Sequence, residues 1–297
     1  MRARQLEVFT AVMRAGTVTG AAKLLHISQP ALSQILRHLE DDLGFLLFSR
    51  EKGRLTPTPE AQELFHQAER LFGELEGLRR KAEDLRVGRA GQVRVGASTP
   101  PAMSLLPQVI MDFRARHPDI ALRAIVAPLQ SLLVMLREGD VAMALALSDR
   151  VDPEIEVEVL GRTRFCCLLP EGHRLAGAEA VAFPDLQGEY LISYRAATQP
   201  HVELDRAARA AGQVFAPAME IDSSISVVGF VQAGLGVAVV DALLPWRQFP
   251  GLVVRPLAGA ADLPLSLLTL RGRRLGRSET LMRDRIRAHR PRPGATP

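Results

Sequence analysis

At 297 residues, with 47% apolar and 24% charged side chains, the chain has the makeup of a globular protein and suits two domains better than one. No run reaches ~18 uninterrupted apolar residues, which excludes a membrane-spanning helix, and Glu7 and Arg14 interrupt any signal-peptide core, so a cytoplasmic protein is expected. The net charge of +4 is unevenly spread: residues 1–56 hold 8 basic against 5 acidic side chains, 91–270 hold 14 against 19, and 271–297 hold 9 against 2, which points to a polyanionic partner for part of the chain.

In residues 4–15, Leu6, Phe9, Val12 and Met13 recur at helical spacing, and Gly16 stops that helix. Thr17-Val18-Thr19 offers a capping hydroxyl to a second apolar helix, Ala21 to Leu25. His26 and Ile27 turn the chain. Ser28 is the expected N-cap of a third helix, with Pro30 in its first turn, where a missing N–H costs nothing. That helix runs to about Leu43 with Leu32, Ile35 or Leu36, Leu39 and Leu43 inward, and Gly44 ends it. Three short helices with a tight turn between the second and third make a DNA-reading helix-turn-helix. Phe45 to Thr58, with Gly53 between Lys52 and Arg54, reads as a β-hairpin wing whose basic tip is either solvated or set on phosphate.

From Pro59 to Arg86 the pattern changes. Leu64, Ala68, Leu71, Leu75, Leu78, Ala82 and Leu85 are spaced alternately by four and three, with Phe65 and Phe72 alongside. A helix of that length rises ~42 Å, and so narrow a seam buries best against a second such helix. Dimerisation is expected, with packing on the chain's own globular domain as the alternative. Gly88 and Gly91 make Val87–Gly91 a hinge.

Strands and helices then alternate. Strands are expected at Gln92–Gly96, Ile120–Val126, Val141–Leu147, Phe165–Leu169, Tyr190–Ser193, Ala218–Ile221 and Val237–Val240. Helices are expected at Leu105–Arg116, Leu129–Glu138, Val202–Ala211 and Ser224–Ala233. This is an α/β pattern with mainly parallel sheets, too long for one sheet of so few strands, so two subdomains are expected. Cys166 and Cys167, flanked by Phe165, Leu168 and Leu169, read as part of a buried strand and supply no disulfide framework. No histidine has partners at metal-ligand spacing, and Gly234-Leu235-Gly236 follows a helix instead of opening one, so neither a metal nor a cofactor is expected.

The chain resembles the LysR-type transcriptional regulators over nearly its whole length. The most specific stretch is GTVTGAAKLLHISQPALSQILRHLEDDLGFLLFSR followed by LTPTPEAQ; GASTPPAMSLLPQVIMDFRARHPDI and VVGFVQAGLGVAVV are looser matches. The resemblance implies an all-α winged helix-turn-helix (1–58), a linker and dimerisation helix with hinge (59–90), and an α/β regulatory domain (91–290) similar to periplasmic solute-binding proteins. That domain would comprise subdomain I (91–162 and 268–290) and subdomain II (163–267), joined by two crossing strands, with a disordered tail (291–297). It implies a homodimer or homotetramer, an effector cleft between the subdomains, double-stranded DNA as partner and RNA polymerase as a further one. Two departures stand out: Gln34 occupies a position commonly basic, and Ala142 a place usually held by aspartate, with Asp140 two residues earlier.

On this reading Gln29, Ser33, Gln34 and Arg37 project towards DNA, and Gln can pair bidentately with adenine. Pro30 and Ala31 can touch a thymine methyl, and Thr19, Ser28, Arg50, Lys52 and Arg54 position the backbone. For the effector, Ser98-Thr99-Pro100 lies between a strand and a helix, where hydroxyls and free N–H groups make an anion site or merely cap the helix. Ser148, Ser193, Tyr194, Arg195, His201, Ser223 and Ser224 join the candidates at other strand ends, and Arg195 suits a carboxylate on the ligand. Leu129, after Pro128, hints at a ligand that is partly apolar. The rival readings are an enzyme, for which no Gly-x-Ser-x-Gly elbow is found, a solute-binding transport protein, and a ligand-independent, weakly specific architectural DNA-binding protein whose affinity would follow salt alone.

Overall fold

The computed structural model describes residues 1–51, 54–86, 92–196 and 198–291. Lys52 and Gly53 of the wing, the hinge at Val87–Gly91 and the tail beyond Pro291 lie outside the described residues, as do the side chains of Arg50, Arg54 and Leu85. Two compact units emerge: Met1–Lys81 with Arg137–Gly139, and the remainder.

The first unit opens with α1 (Ala3–Ala15), α2 (Val18–Leu24) and α3 (Gln29–Leu43). Gly16 and Gly44 end α1 and α3 in the left-handed conformation that glycine adopts freely. The turn into α3 uses His26 at φ 52°, an uncommon backbone for a non-glycine residue. Leu6, Phe9 and Val12 of α1 pack against Ala21, Ala22, Leu32, Leu36, Leu39 and Leu47. Leu36, not Ile35, takes the fully inward place on α3. β1 (Phe48–Glu51) and β2 (Arg54–Pro57) form the antiparallel wing, and α4 (Pro59–Arg86) follows.

The start of α4 corrects part of the dimerisation seam. Leu64, Phe65 and Phe72 pack on the helix-turn-helix core, and Ala61 and Ala68 are buried in it. Leu64 and Ala68 therefore serve the chain's own domain. Leu71, Leu75 and Leu78 remain 52%, 39% and 64% exposed, and Ala82 is exposed too.

The second unit carries two five-stranded sheets. The first contains β3 (Gln92–Ala97), β4 (Ala121–Val126), β5 (Met143–Ala146), β6 (Ile155–Thr163) and β12 (Leu263–Leu270), in the order β4-β3-β5-β12-β6. The second contains β7 (Phe165–Pro170), β8 (Leu191–Tyr194), β9 (Met219–Ile221), β10 (Val237–Asp241) and β11 (Leu252–Pro256), in the order β11-β7-β10-β8-β9. The expectation of mainly parallel sheets needs correction: each has two parallel and two antiparallel pairings. The reason is the chain path. It leaves the first sheet after Thr163, enters the second at Phe165, and returns as β12, which runs against both β5 and β6. Leu263–Leu267 thus lie in the first sheet, five residues ahead of the boundary expected at 268.

Helices cover both faces of the first sheet. α5 (Thr99–Ser104), α6 (Leu106–Arg116) and α10 (Arg277–Ala288) are on one side, where Leu106, Val109, Phe113, Met282 and Ile286 meet Val93, Val95, Met143 and Leu145. α7 (Leu129–Arg137) is on the other, where Leu132, Leu133 and Leu136 meet Ala144 and Ala146. A strand buried on both faces has no polar side, which is why β5 reads Met-Ala-Leu-Ala. Ala142 sits in the same apolar core, which explains how the chain does without an aspartate there. α8 (Gln199–Ala210) and α9 (Val227–Gln232) flank the second sheet. Cys166 and Cys167 are buried in β7; burial pushes both thiols up, Cys167 to about 12, so they remain protonated and behave as small apolar side chains.

Candidate nucleic-acid interface and effector cleft

The hydrophobic spacing of α3 decides which of its side chains are free. With Leu32, Leu36 and Leu39 turned inward, Gln29, Pro30, Ala31, Gln34 and Arg37 are exposed and Ser33 is half-buried, all on the outward face. Ser28 caps α3 by accepting from the Ala31 N–H at 3.4 Å. Thr19 on α2 is exposed and its hydroxyl donates to Gln29 Oε1 at 3.3 Å. Two of the predicted DNA-facing residues are therefore already in contact at the start of α3.

Glu40 is a residue that the reading of the sequence missed. Its Oε1 accepts from the N–H groups of Leu47 at 2.8 Å and Phe48 at 3.2 Å, so a half-buried carboxylate on the last turns of α3 pins the strand leading into the wing. Thr58 closes the other side: its hydroxyl meets the Leu46 carbonyl at 3.0 Å and caps α4 through the Ala61 N–H at 3.2 Å. Together they fix the wing relative to the reading helix.

The effector candidates cluster at the carboxyl ends of strands, where open α/β sheets bind ligands. Ser98 follows β3, Ser148 follows β5, Arg195 follows β8 and Asp241 ends β10. The Ser223 hydroxyl donates to Thr99 Oγ1 at 3.0 Å, joining two predicted residues from different sheets. The Ser98 hydroxyl is buried with no hydrogen-bond partner. The anion site expected from helix N–H groups is reduced, however. The first turn of α5 is Thr99-Pro100-Pro101, and prolines carry no N–H, so only the Thr99 amide remains.

Several candidates are already engaged by other groups of the protein. Pro100 is buried. Leu129 packs against the apolar layer beneath α7. Ser193 is fully buried and donates to the Val239 carbonyl at 2.7 Å, tying β8 to β10. His201 bonds the Tyr194 carbonyl through Nδ1 at 3.1 Å and stacks edge-on to Phe215. Arg195 is exposed and pairs with Asp222 at 3.3 Å. Tyr194 is buried against Asp241, with Ser224 beside that carboxylate and favouring its charged form without closing an aligned hydrogen bond. Ser148 is engaged by Gln199, which sequence reasoning passed over although it lies two residues before His201. Among the described residues no three His, Cys, Asp or Glu side chains converge as a metal site, and no helix is long and apolar enough to cross a membrane.

The comparisons with known proteins agree with this division of labour. Residues 3–62 match the bacterial regulatory helix-turn-helix protein, lysR family, and residues 86–291 match the LysR substrate binding domain. The regulatory protein NocR of Agrobacterium fabrum (strain C58) is 35% identical over 243 residues, covering 81% of this chain and 80% of that protein. The transcriptional activator protein LysR of Escherichia coli (strain K12) is 34% identical over 268 residues, covering 89% and 86%. In fold, the chain is similar to the LysR family regulator CbnR, with a TM-score of 0.66 at 19% identity over 98% of this chain and 100% of that one. The similarity extends to full-length CbnR in complex with its target DNA, with a TM-score of 0.59 at 20% identity over 98% and 100%. The chain belongs to the LysR family of transcriptional regulators: a DNA-binding helix-turn-helix joined to a domain through which a small-molecule effector modulates it.

Proposed function

We propose that this regulator reads a two-fold symmetric operator in the cytoplasm with Gln29, Ser33, Gln34 and Arg37 of α3 in the major groove. Pro30 and Ala31 lie against the bases, and Thr19, Ser28 and the wing residues Arg50, Lys52 and Arg54 hold the phosphates. The observation that carries this reading is the outward face of α3, where the buried positions are all leucine while Gln29, Gln34 and Arg37 are exposed and Ser33 is half-buried. Two copies pair through Leu71, Leu75, Leu78, Ala82 and Leu85 of α4, as a dimer or a dimer of dimers, so that two reading heads meet two half-sites. RNA polymerase is the partner through which the bound regulator acts, and the chain itself catalyses no reaction.

The effector site proposed here lies between the two sheets, around Ser98, Thr99, Ser223 and Ser224, with Ser148 at its far end. Hydroxyls dominate it, so the ligand is a small polar molecule. A carboxylate on that ligand would be met by the Thr99 N–H and by Arg195 on exchange of its exposed partner Asp222. The deciding experiment is a footprint on the DNA upstream of the chain's own gene, with non-specific competitor, repeated with a panel of small carboxylates and amino acids. A discrete two-fold symmetric site that shifts with one compound is expected. Uniform protection, or none, indifferent to every compound and governed by salt alone, would favour a weakly specific architectural protein instead.

A further inference from the structure

The loop 148–150, just beyond β5, faces the N-terminal turn of α8. Three donors on it converge on one oxygen. Gln199 Oε1 receives the Ser148 hydroxyl at 2.6 Å, the Asp149 N–H at 3.1 Å and the Arg150 N–H at 3.3 Å. In return Gln199 Nε2 donates to Asp149 Oδ1 at 2.7 Å. Beside this contact the Arg150 guanidinium meets Glu203 of α8 at 2.9 Å, and Glu203 is itself held by Arg206 at 2.8 Å. The loop belongs to the first sheet and α8 to the second, so one side chain carries four hydrogen bonds across the line between them.

A carbonyl oxygen has two lone pairs. The Ser148 hydroxyl and the Asp149 N–H suffice to fill them, because the Arg150 N–H is shared with Ser148 Oγ at 3.2 Å, and the Ser148 hydroxyl also lies 3.2 Å from the Arg150 carbonyl. The loop therefore presents donors matched to one acceptor oxygen, which a carboxamide or a carboxylate can supply. The Asp149 carboxylate, alongside, calls for an N–H. We infer that residues 148–150 form a receptor for a ligand group that pairs an acceptor oxygen with an adjacent N–H, as in a carboxamide or the head of an α-amino acid. Gln199 is its internal occupant. In the absence of ligand its side chain fills the receptor and helps to hold the two subdomains together; a ligand that enters replaces all four hydrogen bonds and loosens α8, leaving the adjacent Arg150–Glu203 pair in place. This deepens the proposed effector reading by giving the cleft a head-group subsite distinct from the hydroxyls around Thr99.

The test is hydrogen exchange on the full-length protein, read on peptides that report the Asp149 and Arg150 amides, without effector or DNA. Gln199→Ala should speed exchange at these two amides about tenfold while peptides from β10 stay unchanged. Acetamide or free L-glutamine, at high millimolar concentration, should then restore slow exchange in the variant by filling the vacated place. Unchanged exchange in Gln199→Ala would overturn the latch, and faster exchange that neither compound slows would overturn the receptor. Should β10 lose protection as well, Ser148→Ala becomes the reporter: about threefold faster exchange at the same amides is expected, and no change there would overturn the proposal. Because neither DNA nor effector enters the assay, its failure leaves the footprint result standing, and the reverse holds too.

Discussion

The Tyr194 hydroxyl donates to Asp241 Oδ2 at 2.7 Å and accepts from the Asp241 N–H at 2.8 Å, so one phenol serves both the carboxylate and the main chain of a residue 47 positions away. Asp241 Oδ1 accepts in turn from the Leu243 N–H at 3.1 Å, and the Asp241 carbonyl receives the Trp246 indole N–H at 2.6 Å. Both side chains are buried, at the ends of adjacent parallel strands. Tyr194→Phe would leave a buried carboxylate and a buried N–H short of a partner, a loss of about 1–3 kcal/mol. Urea unfolding of the two proteins measures it, and equal midpoints would show that the pair contributes nothing.

Burial raises the Asp241 carboxyl above its ordinary 3.8, outweighing the Tyr194 hydroxyl, the neighbouring Ser224 and the main-chain N–H groups that favour its charged form. With the folded-state value the higher one, the native protein binds more protons in the interval between the two. The stability linked to this group is full below pH 3.8 and is lost as the pH rises through the folded-state value. The wild type should therefore lose stability relative to Asp241→Asn as the pH is raised from about 4 to about 7. A difference between the two that stays flat over that range would contradict the assignment.

Gln29→Ala and Arg37→Ala should weaken binding to the operator by about 1–3 kcal/mol each if they read bases, with a much smaller loss on competitor DNA. Fluorescence anisotropy at fixed salt separates these quantities. An equal loss on both DNAs would reassign the residue to phosphate contact. Gln29 carries an additional expectation: its Oε1 is held by the Thr19 hydroxyl, so Thr19→Val should reproduce part of the Gln29 defect without removing that side chain.

Glu40→Ala removes the acceptor for two N–H groups at the entry to the wing and should cost about 1–3 kcal/mol in the stability of the DNA-binding domain, whereas Glu40→Gln, which keeps an acceptor oxygen, should cost less. Thermal unfolding of all three proteins gives the order. Identical midpoints would mean that the wing is fixed by Thr58 and the apolar contacts alone.

Leu71, Leu75 and Leu78 are large apolar side chains on an exposed stripe of α4, whereas Ala61 and Ala68 of the same helix are buried. Replacing all three by serine should shift the protein towards monomer in light scattering while its helix content persists. The same treatment of Leu64, which packs on the chain's own core, should lower the melting temperature instead. A triple variant that keeps its native mass would place the interface elsewhere.

Much of the DNA-reading domain was legible in the sequence, because its signals are local. Heptad-like leucines, a serine followed by proline at a helix start and glycine at two helix ends each act within one or two turns, and the structure places α1, α3 and α4 within a residue or two of where those signals put them. Gly234-Leu235-Gly236 has a local reason in the fold. Gly234 adopts φ 76° just past the end of α9, with open space around it, whereas a Cβ on Gly236 would collide with the Tyr190 carbonyl. What tertiary structure alone decided was the pairing of distant groups. β6, β11 and β12 were passed over because edge and crossing strands carry mixed patterns, and their antiparallel pairing depends on where the chain changes sheets. Serine and tyrosine at strand ends look alike in a sequence whether they face a ligand or another strand. Only the fold shows that Ser193 bonds Val239, that Tyr194 bonds Asp241 and that Ser148 meets Gln199, because a hydrogen bond needs its two atoms about 3 Å apart, and chain separations of 46 to 51 residues say nothing about that distance.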